Sequence, residues 1–312
     1  MMLDRRPNVE VVGTGFTVLD RIYEDGLLRA ESLGGSCGNV LVSLAMLRRA
    51  VAPVLSLGRD EVGERLLGEF RHAGADVTYI SLRAGLRSPM VTQDLDTASG
   101  RHDFSFVCRE TNTALPRYQP IGEDEVATAT LAIAACAVFY ADRLSADILG
   151  AMRTAHDAGA IVYFEPSDVR DDDLFDEALR LTTILKYSAD RLGPDLNERV
   201  DASGAVAIVT HGAEGLEVRR GCSRVWSAAV PASTVTDTCG AGDMVSIGII
   251  DWLLGSAKAS RPDIGIDHLM HGVRAGQRLA AANCAFAGAR GLFLERGATH
   301  VRDILGWHGT VT

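Results

Sequence analysis

Asp237-Thr238-Cys239-Gly240-Ala241-Gly242-Asp243 stands between a β-branched stretch, Ser233-Thr234-Val235-Thr236, and an apolar run from Met244 to Leu254. That order predicts a strand, a glycine turn and the start of a helix. A turn of this kind leaves several backbone N–H groups unpaired and aimed at one spot, which suits an anion. Asp243 then falls in the first turn of the helix, where the helix dipole favours its ionised form. A phosphate cradle with a carboxylate beside it is what phosphoryl transfer to a hydroxyl requires: positioning, electrostatics, and one base for the hydroxyl proton.

Outward from this turn the chain alternates strand and helix. Residues 9–13, 54–57, 137–140, 160–164, 184–186 and 205–210 read as short apolar strands, with helices over 36–49, 64–73, 146–158 and 173–181. Such alternation predicts a mostly parallel sheet covered by helices on both faces. Two stretches, about 14–33 and 82–112, lack helical period and read as a small accessory β-sheet, placed to act as a lid over the carboxyl ends of the strands.

Composition narrows the chemistry. A net charge of −10 with no basic block argues against a nucleic-acid binder. No apolar stretch is long enough to span a bilayer, and Met1 to Glu10 lacks the apolar core of a signal peptide. Six cysteines, at 37, 108, 136, 222, 239 and 284, form no CxxC pair and fit reduced thiols in a cytoplasmic protein. Of 31 basic residues only Lys186 and Lys258 are lysine. That excludes a Walker A loop and a protein-kinase Val-Ala-Ile-Lys strand. Nucleotide phosphates would have to be met by backbone amides and arginine.

Other constellations are weaker alone. Gly13-Thr14-Gly15 opens a dinucleotide fingerprint, but Val18 replaces its third glycine. Asp20 either points at substrate hydroxyls or is an ordinary turn aspartate. Gly34-Gly35-Ser36-Cys37-Gly38-Asn39 lets a ligand approach the backbone and offers the Asn39 amide, or is a glycine turn feeding a helix. Val209-Thr210-His211-Gly212-Ala213-Glu214-Gly215 ends a strand in a tight hairpin, and His211 alone reads as a surface histidine. The acidic run 171–173 reads as a solvated helix start.

In this order the blocks resemble the ribokinase-like (PfkB) family of carbohydrate kinases across nearly the whole chain, 1–312 as one kinase domain. Gly34-Gly35-x-x-x-Asn39 is similar to the family's N-terminal signature. Gly58-x-Asp60-x-x-Gly63 with Gly74-Ala75-Asp76-Val77 is similar to its next block, and residues 237–243 to its specific C-terminal signature. The resemblance implies a three-layer α/β/α sandwich with a β lid, ATP as donor and Mg²⁺ as helper. It implies Asp243 as base and the amides of Gly240, Ala241 and Gly242 as anion hole. Asp20, Gly34, Gly35 and Asn39 would hold the acceptor. Thr210, Gly212, Gly215 and Arg191 would line the nucleotide side, with Asn283 near the adenine and Asp237 beside a monovalent cation.

One block departs from the family. Where Asn-x-x-Glu is usual, this chain has Ser188-Ala189-Asp190-Arg191, and Phe164-Glu165-Pro166-Ser167 replaces Asp-Pro-Asn. Asp190 or Glu165 substitutes, or Arg191 contacts phosphate, or metal-dependent activity is reduced. The leading expectation is an ATP-dependent kinase of a small sugar or sugar-like hydroxyl. The alternatives are a nucleoside kinase on the same scaffold and, from another class, a catalytically weak sugar- or nucleotide-binding protein. Lid edge strands could also pair across a two-fold axis into a homodimer.

Overall fold

A computed structural model describes residues 9–96, 101–193, 196–256 and 264–306. The principal sheet runs in the spatial order β14 (Ser223–Ala228), β13 (Gly215–Arg220), β12 (Val206–Thr210), β11 (Ile184–Ser188), β10 (Ile161–Phe164), β9 (Val138–Ala141), β1 (Val11–Thr14) and β4 (Val51–Pro53). From β12 to β4 every pairing is parallel; β13 and β14 close one edge as an antiparallel hairpin.

Strands β1, β4, β9 and β10 are buried at every position. This is the pattern of a sheet covered on both faces. Alternate residues enter opposite cores, because side chains alternate along a strand. Val138, Tyr140, Ile161 and Tyr163 join one apolar cluster with α1 (Ser36–Met46), α2 (Glu61–Ala73), α7 (Ala241–Gly255), α8 (Ile266–Asn283) and α9 (Gly291–Leu305). Phe139, Ala141, Val162 and Phe164 join the other, with α3 (Glu123–Ala135), α4 (Ala146–Asp157), α5 (Asp172–Leu181) and α6 (Leu196–Ser203). The result is the expected three-layer α/β/α sandwich.

A second sheet runs β3 (Leu27–Gly34), β2 (Val18–Glu24), β7 (Met90–Asp96) and β8 (Arg101–Ser105). Its strands fall within the two stretches that lack helical period; 97–100 lie outside the described residues. Two expected elements differ. Residues 51–58 split between β4 and a separate pair, β5 (Leu55–Gly58) with β6 (Ile80–Arg83). Residues 233–236 form no strand, because the N–H groups of Thr236 and Asp237 both donate to the Cys284 carbonyl, at 2.7 and 3.2 Å. That segment is pinned to the end of α8 instead of to a sheet.

Helix α7 carries Asp243 and meets α8 backbone to backbone. A Cβ on Gly248 would lie 2.4 Å from Gly276 Cα, and one on Gly276 would lie 2.5 Å from the Val245 carbonyl oxygen. Both obstacles are main chain, so the helices would have to part. Gly276→Ala is therefore expected to destabilise the protein by about 1–3 kcal/mol, read as a lower urea midpoint at unchanged slope. Gly150→Ala, in α4 where a Cβ meets nothing within 4 Å, should instead stabilise by ~0.5–1 kcal/mol. A Gly276→Ala midpoint at or above wild type would contradict the close-packed seam.

Candidate active site

The carboxyl ends of β9 and β10 deliver two acids side by side. Ala141 and Phe164 are register partners, and the next residue on each strand is Asp142 and Glu165. Asp142 is fully buried. Its oxygens accept the N–H of Phe16 at 2.7 Å and of Cys37, in the first turn of α1, at 3.1 Å. Burial nonetheless pushes its carboxyl up to about 6.

Asp243 lies opposite, in the first turn of α7. Its Oδ2 accepts the Asn39 amide at 2.8 Å. Burial first and the Glu165 carboxylate second raise Asp243 to about 7, against the pull of Asn39 and Lys186. Glu165 in turn accepts Ser246 Oγ at 2.6 Å and the Tyr140 hydroxyl at 3.1 Å, and it pairs with the Lys186 ammonium. Lys186 is only 2% exposed, and its Nζ lies 3.5 Å from where a Gly242 Cβ would stand. Just ahead of Asp243, Gly240 turns the chain at φ 73°. Ala241 N–H makes a long bond to the Thr238 carbonyl, 3.3 Å, while the N–H groups of Gly240, Gly242 and Asp243 have no hydrogen-bond partner among the described residues.

The residues expected on the acceptor side gather at the same crevice. Asp20, on β2, is buried and raised to about 7 by desolvation, with Arg290 offsetting and Asp243 adding to the rise. Its carboxylate occupies the space a side chain at Gly34 would need: a Cβ there would lie 1.9 Å from Asp20 Oδ2. Gly35 caps α1 and brings Asn39 into its first turn. Asn39 Oδ1 is buried with no hydrogen-bond partner. Arg290 braces the small sheet from below, donating to the Leu33 carbonyl at 2.6 Å and to Glu69 at 3.2 Å.

On the other side, Thr210 ends β12 half-buried, its hydroxyl 3.4 Å from the Tyr187 carbonyl. Around Gly212 a Cβ would meet nothing within 4 Å, whereas at Gly215 it would lie 2.2 Å from the Ser227 carbonyl oxygen. Gly212 thus borders open space and Gly215 serves the hairpin. Arg191 is exposed, and its charge reaches Cys239 in the glycine turn. Asn283 corrects the expectation of an adenine contact. Its side chain is 1% exposed, with Nδ2 facing the carbonyls of Cys239, Gly288 and Ala289 and Oδ1 accepting Leu292 N–H.

The resemblance implies two ions, and the described residues can be tested against each. Asp237 has 0% exposure, and three N–H donors already meet its carboxylate: Cys239 at 2.8 Å, Gly288 at 2.8 Å and the Gln93 amide at 3.0 Å. A monovalent cation does not fit that set. No group of three metal-ligating side chains occurs among the described residues, and Glu165 is committed to Lys186.

The sequence pattern of pfkB family carbohydrate kinases matches residues 29–291. The chain belongs to the pfkB family of carbohydrate kinases. It is 28% identical over 271 residues to a fructokinase of Klebsiella pneumoniae, covering 80% of this chain and 85% of that one. Its fold is similar to a fructokinase with bound ATP from Xylella fastidiosa, at TM-score 0.72 and 19% identity over 94% of this chain and 98% of that one. It is equally similar, at TM-score 0.72 and 20% identity, to an aminoimidazole riboside kinase of Salmonella enterica complexed with aminoimidazole riboside and an ATP analog, over 95% and 99% of the two chains. No described helix is long and apolar enough to cross a membrane.

Asp142, Lys186, Gln93 and Arg290 entered the site without having been singled out as ligand-facing residues. Lys186 left a signal, a charge inside Ile-Leu-Lys-Tyr; Asp142 left only its place after an apolar strand. The Glu165–Lys186 pair should set the proton affinity of Asp243 in opposite senses. Glu165→Gln removes a repelling charge and leaves Lys186 unopposed, so Asp243 should titrate below about 7. Lys186→Met removes the attracting charge, so it should titrate above. Carboxyl carbon NMR titration reads both shifts; movement in the same direction would refute the arrangement.

Proposed function

We propose that this kinase transfers the terminal phosphoryl group of ATP to a hydroxyl of a small sugar or sugar-like acceptor, with Asp243 as general base. The observation that supports this reading most is the Asp243 carboxylate, buried and proton-hungry, directly behind a turn in which the N–H groups of Gly240 and Gly242 face no acceptor among the described residues and that of Ala241 makes only a long bond.

Chemistry follows from that pairing. Asp20 and the free Asn39 Oδ1 accept hydrogen bonds from acceptor hydroxyls and turn one of them toward Asp243. Asn39 Nδ2 holds the Asp243 carboxylate in place from the other side. As the acceptor oxygen bonds to the γ-phosphorus, its proton passes to an Asp243 oxygen and the bond to the bridging oxygen of ADP breaks. Negative charge spreading over the phosphoryl oxygens is met by the amides of Gly240, Ala241 and Gly242, helped by the α7 dipole. Thr210, Gly212 and Arg191 border the nucleotide side of this turn. The small sheet, tied to the site through Asp20 and Gln93, is placed to exclude water once an acceptor is bound.

An ionised base is needed, so turnover should fall on the acid side of about pH 7. Asp243→Asn should lower kcat by about 10²-fold or more, the scale of general-base catalysis. Its effect on stability should be the reverse. Wild-type Asp243 binds its proton more tightly folded, at about 7, than unfolded, at 3.8, so the carboxylate destabilises the fold above pH 7 and not below about 4. Asn carries no such penalty, and the variant's melting temperature should match or exceed wild type at pH 8, with the gain vanishing in acid. Coupled detection of ADP against a panel of sugars, sugar acids, sugar phosphates and nucleosides identifies the acceptor. Near-normal turnover of Asp243→Asn on that acceptor would end the assignment, and ligand-induced stabilisation without ADP release would mark a binding protein instead.

A further inference from the structure

We infer that the Asn283 side-chain amide does in this chain the work of a monovalent cation at the glycine turn, so that neither stability nor turnover requires potassium or sodium. Three backbone carbonyls converge on one point between two loops: Cys239 from the turn itself, and Gly288 and Ala289 from the loop that follows α8. Asn283 Nδ2 occupies that point, at 3.3, 3.4 and 3.3 Å from the three oxygens. Facing carbonyl dipoles repel one another unless positive charge lies between them. A bound cation supplies it, and so do the two hydrogens of a primary amide.

The amide's orientation is fixed independently. Its Oδ1 accepts Leu292 N–H at 3.0 Å in the first turn of α9, and a flipped amide would set oxygen against three oxygens and nitrogen against a donor. The neighbouring acid is balanced as well. Asp237, the residue from which a cation would draw its charge, meets three N–H donors from Cys239, Gly288 and Gln93. Space is short: a Cβ on Gly240 would lie 2.5 Å from the Ala289 carbonyl oxygen, so the two loops already touch. One buried acceptor, Gln93 Oε1, keeps no partner, and a single amide oxygen does not make a cation shell. Asn283 is therefore a positioning residue: it locks Cys239, and through it the amides of 240–242, with a group that cannot dissociate.

The test compares the full-length enzyme in choline, sodium and potassium chloride at equal ionic strength, about 0.1 M, so that screening is constant. Thermal unfolding needs no acceptor, and it decides the inference even if the kinase reading itself fails; turnover, which rests on that reading, is measured with ATP and the acceptor found by the panel. Wild type should melt at the same temperature in all three salts and turn over within about twofold. Asn283→Ala empties the space between the carbonyls, so its melting temperature should fall in choline and recover in potassium or sodium. Asn283→Asp, acceptor-only, should show the larger recovery. A wild-type melting temperature raised by potassium over choline, or a wild-type rate raised about tenfold, would overturn the inference. So would variants whose stability is equally low in every salt. If neither variant folds, the wild-type salt comparison alone decides.

Discussion

Four carboxyl groups, Asp20, Asp142, Glu165 and Asp243, are held in one crevice with little access to water, and the rest of the site follows from how each is compensated. Burial penalises Asp20, Asp142 and Asp243 in their ionised forms, and repulsion from neighbouring carboxylates adds to the penalty. The protein answers with a different partner for each. Asp142 receives two backbone N–H groups, Glu165 a buried lysine with two hydroxyls, Asp20 the nearby Arg290, and Asp243 a single amide from Asn39. Asp20 and Asp243 have the lightest direct compensation, and Asp243 is the one that stands next to amides with no partner among the described residues. A carboxylate left proton-seeking near neutrality beside unpartnered amides is, on the proposed reading, a useful combination. It is a costly one anywhere else in a fold.

The fold makes this cluster hard to avoid. Short parallel strands buried on both faces must release the chain at their carboxyl ends, and adjacent strands in register release it at neighbouring points. Asp142 and Glu165 are therefore neighbours because Ala141 and Phe164 are paired. Asp243 joins them because α7 is held against α8 at a glycine seam too tight for any side chain. Asp20 joins because Gly34, across a strand pair of the small sheet, leaves its carboxylate room.

Much of this was legible in the chain. Apolar runs such as Val138–Ala141 and Ile161–Phe164 announced a two-sided sheet, and the glycine turn before Asp243 announced the start of α7. Legibility failed where the deciding partner is distant in sequence. Ser233 to Thr236 have strand composition, yet the Cys284 carbonyl, from the end of α8, captures the backbone donors of Thr236 and Asp237. Helix α3 is rich in alanine, with little contrast between its faces, so period alone did not reveal it. Asn283 resembles an adenine contact by its place on a late helix, but the carbonyls that claim its amide belong to three other positions. Gln93 looked like one more polar residue of a β-strand; only the fold sets it against Asp237.

The altered nucleotide side reads as one coordinated exchange. Arg191 stands where the resemblance would put a glutamate, and the nearby acid, Glu165, is paired with Lys186. Both residues add positive charge here, in a chain whose overall charge is −10. On the proposed reading, donor phosphates then meet an exposed guanidinium and the open end of α7, a bidentate donor and a fixed dipole, where a carboxylate would have had to act through a bridging ion. Arginine suits such a place because its fork matches phosphate oxygens and its charge persists at every working pH. The same economy appears at Asn283, where an amide stands among carbonyls. On these proposed readings a covalently attached group stands in both places where another would have to bind, and the geometry of the glycine turn would then depend on folding and not on what the solution supplies.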